Sequence, residues 1–284
     1  MRDSSEIIGR SLVHHGKFND RAYLMKLHSH DGDMIVAALD DLACTRGYSK
    51  IFAKIPSWAC GGFLSGGYEL EARIPGFYGG VDDACFMGKY FSEARSQEQE
   101  ETLVSDVLEA SKEKSAHPVP SCLPHGFTIG NAGEEHVEEM AELYSGIFAS
   151  YPFPIHDPDF IRAAMKDSTR FFGIWNGRRF AALSSAEIDF DSTSAEMTDF
   201  ATRHDYRGKG LALHLLRFME NAVSANGIRS LFTIARAYSY SMNITFARNG
   251  YLFAGTLTNN TNIGGRLESM NVWYKIQGEN SSDC

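Results

Sequence analysis

The sequence predicts an α/β fold with a mixed sheet, in which a complete C-terminal domain follows a smaller, degenerate copy of itself. Three observations support this prediction. Strand and helix patterns alternate after residue 127, short strings of the first third recur in the last third, and a charged, proline-containing segment lies between them. We therefore divide the chain into a degenerate N-terminal domain at 1–91, a connector at 92–126 and a complete domain at 127–277.

The C-terminal region predicts elements in the order β-α-α-β-β-β-α-β-α-β-β. Acidic residues near Glu134 and the pair Asp157-Pro158 favour helix starts, and Asn176-Gly177 is a strong two-residue hairpin turn. Asn226-Gly227 stops a long amphipathic helix. The predicted strands are 127–129, 171–175, 180–188, 195–202, 229–235, 251–257 and 268–276, and the predicted helices are 133–150, 157–167, 209–226 and 240–249.

The N-terminal region echoes this pattern. Residues 47–52 resemble residues 227–232, and Gly67-Tyr68 resembles Gly250-Tyr251. The segments at 34–43 and 84–91 would then correspond to the long helix and to the last strand. Chance similarity between strand-helix-strand units is the alternative. If the echo is a true repeat, this half is structural or shapes the substrate site.

The connector is charged near its start and rich in proline near its end. Leu103, Val107 and Leu108 are spaced as on one face of a helix, which predicts a helical middle. A packed connector and a flexible tether both remain open.

Charge and composition narrow the class of partner. The formal charge is −9, from 27 basic and 36 acidic residues. This balance argues against a nucleic-acid or membrane-surface partner and suits a small cationic substrate such as an amine. No apolar run has the length of a membrane helix, and the N-terminus does not resemble a signal peptide. We expect a cytoplasmic protein, and a homodimer remains open.

The cysteines and histidines do not predict a metal site or a disulfide framework. The cysteines are scattered, odd in number and never spaced as C-x-x-C, so we expect free thiols. The string His28-Ser29-His30-Asp31 has ligand-type residues, but a polar turn explains it equally well. We therefore predict no metal. The five cysteines are Cys44, Cys60, Cys85, Cys122 and Cys284.

The string Arg207-Gly208-Lys209-Gly210-Leu211-Ala212 lies between a predicted strand and the long helix. A loop that binds a pyrophosphate needs backbone N–H groups at a helix start and small residues that let the phosphates approach. Gly208, Gly210 and Ala212 meet that need. A glycine-rich helix entry on a basic surface is the alternative reading.

With this motif the chain resembles the GNAT N-acetyltransferases, through Arg207, Gly210 and Ala212 in the Arg-x-x-Gly-x-Ala pattern. The resemblance covers about 127–277. It implies a mixed sheet that splits between its fourth and fifth strands, with acetyl-coenzyme A (acetyl-CoA) in the gap. Besides the turn at 207–212, the implied cofactor contacts are Phe200, Ala201, Thr202, Asn243 and Phe246.

The family resemblance also implies a general base. Glu196 lies eleven residues before Arg207, where relatives place a catalytic glutamate. An alkyl amine is protonated at neutral pH, and its deprotonation costs about 4.6 kcal/mol, so a carboxylate beside it is useful. Asp199 lies three residues further along the same strand, on the opposite face unless a β-bulge intervenes. A solvent-facing strand residue is the alternative for either carboxylate.

One departure concerns the general acid. Many relatives have a tyrosine four residues before a Gly-aromatic pair, but here Phe246 precedes Gly250-Tyr251. Either the thiolate leaves without a donor, or Tyr240 or Ser239 substitutes. Asn243 either contacts the cofactor or caps the helix that begins at Tyr240.

A narrower resemblance spans nearly the whole chain. Strings at 19–27, 50–56, 233–237, 259–263 and 268–275 resemble the β-lysine N-acetyltransferases. This implies acetyl transfer to the ε-amine of β-lysine, giving the compatible solute ε-acetyl-β-lysine. Transfer to another small amine or to a protein amine, and a non-catalytic acyl-CoA sensor, are the alternatives.

β-Lysine carries one carboxylate and two ammonium groups, so its pocket needs donors and acids. We expect Arg236 to bind the carboxylate and Asp199 or Glu268 to bind an ammonium, although each could equally be a surface charge or an ion pair. The polar run Thr258–Asn262, which includes Asn260 as a substrate contact, is expected to line the acceptor side as a loop.

Overall fold

The computed structural model describes residues 3–148 and 151–278. The N-terminal part (residues 3–91) and the connector contain β1 (Ser4–Ile8), β2 (Ser11–Gly16), β3 (Arg21–Lys26), α1 (Ile35–Arg46), β4 (Lys50–Pro56), α2 (Cys60–Ser65), β5 (Glu69–Tyr78), β6 (Asp82–Tyr90), α3 (Glu93–Ser96) and α4 (Glu101–Ser115). The C-terminal part (residues 127–278) contains β7 (Phe127–Ala132), α5 (Val137–Ile147), α6 (Pro158–Asp167), β8 (Thr169–Asn176), β9 (Arg179–Asp189), β10 (Ser194–Thr202), α7 (Leu211–Ser224), β11 (Ser230–Arg236), α8 (Tyr240–Arg248), β12 (Leu252–Ile263) and β13 (Arg266–Ile276).

The observed order of elements in the C-terminal part is the predicted one. Asp157 caps α6 by accepting a hydrogen bond from the N–H of Asp159, as its place before Pro158 indicates. The hairpin turn, however, consists of Gly177 and Arg178, one residue later than predicted, because Asn176 still pairs with Arg179. The predicted helix 133–150 is a short 3₁₀ turn followed by α5, and its last two residues lie outside the described residues.

The polar run Thr258–Asn262 is not a loop as predicted but the second half of β12. Two of its polar side chains are satisfied by backbone groups of the preceding regions. Asn259 Nδ2 donates to the carbonyl oxygens of Arg95 and Gln97, and Asn262 Nδ2 donates to that of Phe18. Buried partners distant in sequence therefore replace the water that a loop would contact.

All strands of the described residues join one mixed sheet in the order β1-β2-β3-β4-β6-β5-β12-β13-β11-β10-β9-β8-β7. In the N-terminal part, β3 and β4 are parallel and flank α1, while β6 pairs with both β4 and β5. In the C-terminal part, β10 and β11 are parallel and flank α7, while β13 pairs with both β11 and β12. The two parts thus repeat one pattern of strand pairing, as the sequence echo predicted.

The two parts meet where β5 pairs with β12, at Ala72 and Gly255. A Cβ on Gly255 would overlap the carbonyl oxygen of Glu71, and its φ is 149°, so glycine is required. Lys50 is fully buried beside this junction, where it donates to Glu71 Oε1 at 2.9 Å and to the carbonyl oxygen of Thr258 at 2.7 Å. Backbone pairing and buried charge both join the parts.

The connector is packed. Its α4 buries Val104 and Val107 and lies against α8, so the predicted helical middle is confirmed. Glu98, just before α4, accepts hydrogen bonds from Tyr238 and Ser269. The connector therefore covers part of the C-terminal part instead of tethering it loosely.

Candidate active site

The sheet opens between β10 and β11. These parallel strands pair only from Ser194 to Glu196 on one side and from Ser230 to Phe232 on the other. Further along β10, a β-bulge interrupts its pairing with β9 between Thr198 and Ala201, and Asp199 has a φ of 57°. The bulge bends β10 and creates the split that the family resemblance implied.

A cavity of about 650 Å³ lies at this split and is lined by residues of both parts. Its lining includes the carboxylates Glu187, Glu196 and Asp199, the cations Arg21, Lys26, Lys54 and Arg236, and the aromatic residues Tyr23, Phe52, Tyr151, Phe200, Phe232 and Phe246. This volume accommodates a small ligand together with the reactive end of a second one.

Glu196 lies on β10 directly opposite Glu187 on β9. Burial raises the pKa of Glu196 to about 7, with Asp199 raising it further and the ammonium of Lys54 opposing the shift. Burial and the neighbouring Glu196 raise the pKa of Glu187 to about 8. A carboxyl group that titrates near neutrality is suited to general acid–base chemistry.

Asp199 reaches the same cavity because of the bulge. Its carboxylate accepts hydrogen bonds from Tyr151 and Ser185. Burial raises its pKa, although both hydrogen bonds oppose that shift. Asp199 is thus engaged with protein donors, while no side chain of the described residues forms a hydrogen bond or ion pair with Glu196.

The N-terminal half lines this cavity, as one of its two expected roles implied, but the residues through which it does so were not predicted. In the C-terminal part, Glu196 on β10 pairs with Phe232 on β11. In the N-terminal part, Tyr23 on β3 pairs with Phe52 on β4. Tyr23 is therefore at the position equivalent to that of Glu196. Nothing local marks Tyr23 or its neighbour Lys54 as site residues. The echo at residues 47–52 was the available signal, since it aligns the two pairs of parallel strands.

The predicted acceptor residues are placed differently from the expectation. Arg236 and Glu268 bind each other, with both hydrogen bonds at 2.8 Å, so each charge has a protein partner of opposite sign, as our ion-pair alternative expected. Asn260 is buried on the cavity wall, and its carbonyl oxygen accepts from Arg21 at 2.6 Å. No partner for Asn260 Oδ1 is found within the described residues.

The predicted pyrophosphate turn precedes α7. Gly208 and Gly210 have φ values of 77° and 71°, in the left-handed region that favours glycine. Gly210 is the N-cap of α7, and a Cβ on Gly208 would meet open space. The N–H of Leu213 donates to the carbonyl oxygen of Gly210, so the N–H groups of Leu211 and Ala212 are the ones without an acceptor within the helix, at its positive end. This arrangement fits an anionic group.

Within the described ranges, no group of three or more His, Cys, Asp or Glu side chains could hold a metal ion. His28 Nδ1 instead accepts from the backbone N–H of His30 in a 3₁₀ turn, and His30 Nδ1 lies 3.1 Å from Arg10 Nη1. The cysteines in this portion are free, and Cys284 lies outside it. No helix of the described portion is long and apolar enough to cross a bilayer.

Comparison with known proteins decides the family. Residues 137–251 match the model of the Acetyltransferase (GNAT) family. Over 95% of its length, the chain is 38% identical to a beta-lysine N(6)-acetyltransferase of Methanococcus maripaludis, of which it covers 97%. The chain belongs to the GNAT acetyltransferase family. This GNAT protein is therefore an acyltransferase.

Two further relatives agree with this assignment. A beta-lysine N(6)-acetyltransferase of Methanosarcina mazei is 30% identical, with 85% of this chain and 96% of the relative covered. The N-acetyltransferase YodP of Bacillus subtilis is 32% identical, with 73% and 75% covered. GNAT acetyltransferases use acetyl-CoA as the acetyl donor.

The remaining residues predicted to bind this cofactor fall into two groups in the GNAT chain. Phe200 and Phe246 line the cavity and contact each other edge to face, with ring centroids 5.6 Å apart. Ala201 is buried, and Thr202 ends β10. In contrast, the Asn243 amide is occupied, because it donates to two carbonyl oxygens and accepts from Asn271 and Trp273.

The start of α8 contains the predicted general acid. The helix is capped by Ser239, which accepts from the N–H of Met242, and not by Asn243 as one of our readings had it. Tyr240 follows in the first turn, is 43% exposed, and is not part of the cavity lining in the described residues.

Proposed function

We propose that this GNAT acetyltransferase transfers the acetyl group of acetyl-CoA to the ε-amine of β-lysine, giving ε-acetyl-β-lysine, a compatible solute. Glu196 supports this proposal most strongly, because a carboxyl group with a pKa of about 7 faces a cavity suited to a small amine. The names of two relatives that cover most of the chain support β-lysine as the acceptor.

The residues around α7 fit acetyl-CoA. The N–H groups of the turn at 207–212 would hold the pyrophosphate, and Phe200 and Phe246 would pack against the part that enters the sheet. When bound, the cofactor supplies an activated acetyl thioester. The turn follows β10, which carries Glu196, and Phe200 and Phe246 line the same cavity as Glu196, so a cofactor held at the turn and against these rings would present its thioester to Glu196.

Glu196 would act as the general base. Deprotonating an alkyl amine costs about 4.6 kcal/mol at pH 7, and Glu196 is about half ionised there, so it can accept the proton that the amine loses. Asp199 positions Tyr151 and sustains the raised pKa of Glu196 by its charge. Tyr240 remains our candidate for the general acid at the leaving thiolate, since residue 246 is a phenylalanine without a proton to donate.

The charge of the cavity favours an acceptor with more than one ammonium group. Glu187, Glu196 and Asp199 all line it, and burial raises the pKa of each. A cationic ligand would stabilise the ionised carboxylates and bind well for that reason. The N-terminal part lines the same cavity, which favours a small molecule over a protein chain as the acceptor.

A panel of amines tests this proposal. Purified protein with acetyl-CoA should release coenzyme A thiol fastest with β-lysine and more slowly with lysine, and NMR of the product should place the acetyl group on the ε-nitrogen. Binding of acetyl-CoA without thiol release from any amine would support the sensor alternative and contradict the enzyme. Acetylation of the β-nitrogen would contradict the proposed orientation.

A further inference from the structure

The N-terminal part contributes to the cavity a cation for which the described residues provide no hydrogen bond or ion pair. Lys54, on β4, has its Nζ 5.3 Å and 5.6 Å from the ring centroids of Phe232 and Phe77. Among residues 3–148 and 151–278, Lys54 Nζ contacts these two rings and forms no hydrogen bond or ion pair. Lys54 lines the same cavity as Glu196 and Glu187. Burial lowers its pKa, whereas the charges of Glu196, Asp189 and Glu187 oppose that shift.

The other cations of the cavity lining are engaged by protein groups. Lys26 lies 2.8 Å from Asp191 and 3.6 Å from Asp189. Arg21 donates to the carbonyl oxygen of Asn260 at 2.6 Å, and Arg236 is held by Glu268 as described above. Within the described lining, Lys54 is therefore the cation available to an anionic group of a ligand.

A carboxyl group without a hydrogen bond or ion pair to the described residues, that of Glu187, lines the same cavity. Glu187 on β9 lies directly opposite Glu196 on the neighbouring strand β10, and its side chain is exposed to the cavity. The described residues provide no hydrogen-bond donor or salt-bridge partner for its carboxylate. The cavity thus offers, beside the base, one lysine and one carboxyl group that the described residues leave without a hydrogen bond or ion pair, and these two groups come from different parts of the chain. A zwitterionic group near the reacting amine would satisfy both. A bound ammonium group would stabilise the ionised form of Glu187.

We propose that Lys54 binds the carboxylate of the acceptor and Glu187 binds its second ammonium group, so that the N-terminal part selects amino acids over simple diamines. This inference rests on the proposed function, because it assumes that Glu196 receives the reacting amine. The N-terminal part has then kept a binding role although Tyr23 replaces the base at the equivalent position.

A comparison of two acceptors tests the role of Lys54. β-Lysine and 1,4-diaminopentane differ by the carboxylate, and both meet the same base, so the ratio of their kcat/KM values cancels any effect on Glu196. Lys54→Met should reduce this ratio by about tenfold or more, the effect of losing one charged hydrogen bond. The matched control Lys26→Met should leave the ratio within about twofold, because Lys26 is already paired. Equal loss with both acceptors in Lys54→Met would overturn the assignment.

Glu187 is tested in the same way with 6-aminohexanoate, which keeps the carboxylate and lacks the second amine. Glu187→Gln should lower the preference for β-lysine over 6-aminohexanoate by about tenfold. An unchanged preference would remove Glu187 from the proposal. Thermal unfolding of each variant confirms that it is folded.

A binding measurement separates this inference from the proposed function. Coenzyme A-loaded protein is titrated with β-lysine and with 1,4-diaminopentane in a calorimeter. If no acetyl transfer occurs, the proposed function fails, yet tighter binding of β-lysine by wild type than by Lys54→Met, by about tenfold, still supports carboxylate recognition. Binding that is equal in the two proteins, or absent in wild type, overturns it.

Discussion

Three carboxyl groups, from Glu187, Glu196 and Asp199, share one wall of the cavity at the scale of single residues. Burial raises the pKa of all three, which means that the folded state resists their ionisation. Such an arrangement is unfavourable for stability and useful for chemistry, because it keeps a base near neutral pKa. Without a ligand, these carboxyl groups therefore lower the free energy of unfolding of the enzyme.

This cost predicts a pH-dependent gain in stability for Glu187→Gln. The pKa of this carboxyl group is 4.5 in the unfolded chain and about 8 in the folded protein. Between these pH values the folded state binds more protons than the unfolded state. The free energy of unfolding of the wild type therefore falls as the pH rises from 4.5 to 8. At pH 9 the variant should be more stable by about 1 kcal/mol, a modest value because the Glu187 side chain is exposed and solvent screens its charge. At pH 4 the two melting temperatures should coincide, and an equal gain at both values would contradict the explanation.

At the scale of elements, the connection between β10 and α7 distinguishes the two parts. The C-terminal part has the turn with Gly208 and Gly210 at the start of α7. In the N-terminal part, the loop before α1 contains Asp31, whose carboxylate accepts from the N–H of Arg10 and the hydroxyl of Ser11. A carboxylate there repels a phosphate group, which supports our proposal that the anionic cofactor binds to the C-terminal part.

Gly210→Ala should lower the affinity for coenzyme A by about tenfold or more, because a residue with a Cβ moves the turn away from its φ of 71° and misdirects the N–H groups. Gly227→Ala is the matched control, since Gly227 has a φ of 82°, lies just past α7 and has no neighbour within 4 Å of a Cβ. Both variants should lose about 1 kcal/mol of stability. Calorimetry measures the affinity for coenzyme A. Equal affinities in the two variants would contradict the proposed binding of the cofactor by the turn at 207–212.

The sequence predicted elements where local chemistry determines them. The stop at Gly227, the start at Asp157 and the hairpin after Asn176 depend on short-range capping and turn preferences. The polar end of β12 was mistaken for a loop, because its partners are backbone groups from the distant N-terminal part. Polarity in sequence does not reveal whether water or protein will satisfy a side chain.

The candidate site was likewise predictable where local sequence determines it and not where distant segments meet. The spacing of Glu196 from the turn is local, and the effect of a bulge on Asp199 could be anticipated. Lys54 enters the site only through the joining of the two parts, and Glu187 only through the register between β9 and β10. Likewise, residue types alone could not decide that Arg236 forms an ion pair with Glu268 on the neighbouring strand β13.

At the scale of the whole molecule, the two parts form one sheet, and the cavity needs both. The junction of β5 with β12 holds them together around Gly255, with buried Lys50 and Glu71 beside it. Burial lowers the pKa of Lys50 to about 8, and the Glu71 carboxylate limits that shift. Because the acceptor cavity lies across the two parts, a change at the junction should affect activity as well as stability.

Gly255→Ala should destabilise the protein by about 1–3 kcal/mol, because the added methyl group overlaps the backbone of Glu71. Gly250→Ala serves as its control, having a φ of 80° and open space around a Cβ, and should lose only about 1 kcal/mol. Urea unfolding gives the stabilities, and kcat/KM should fall further in Gly255→Ala. Equal stability and activity in the two variants would mean that the junction tolerates displacement.

The pH dependence of kcat/KM, compared between wild type and Glu196→Gln, tests the central claim most directly. The base must be ionised, so the wild-type value should rise about tenfold per pH unit at acidic pH and level off above a pKa of about 7. Glu196→Gln should lose at least about a hundredfold near pH 8, recover as the amine itself deprotonates at higher pH, and lack the inflection near 7. A variant that keeps this inflection, or a loss that is independent of pH, would contradict the assignment of Glu196 as the base.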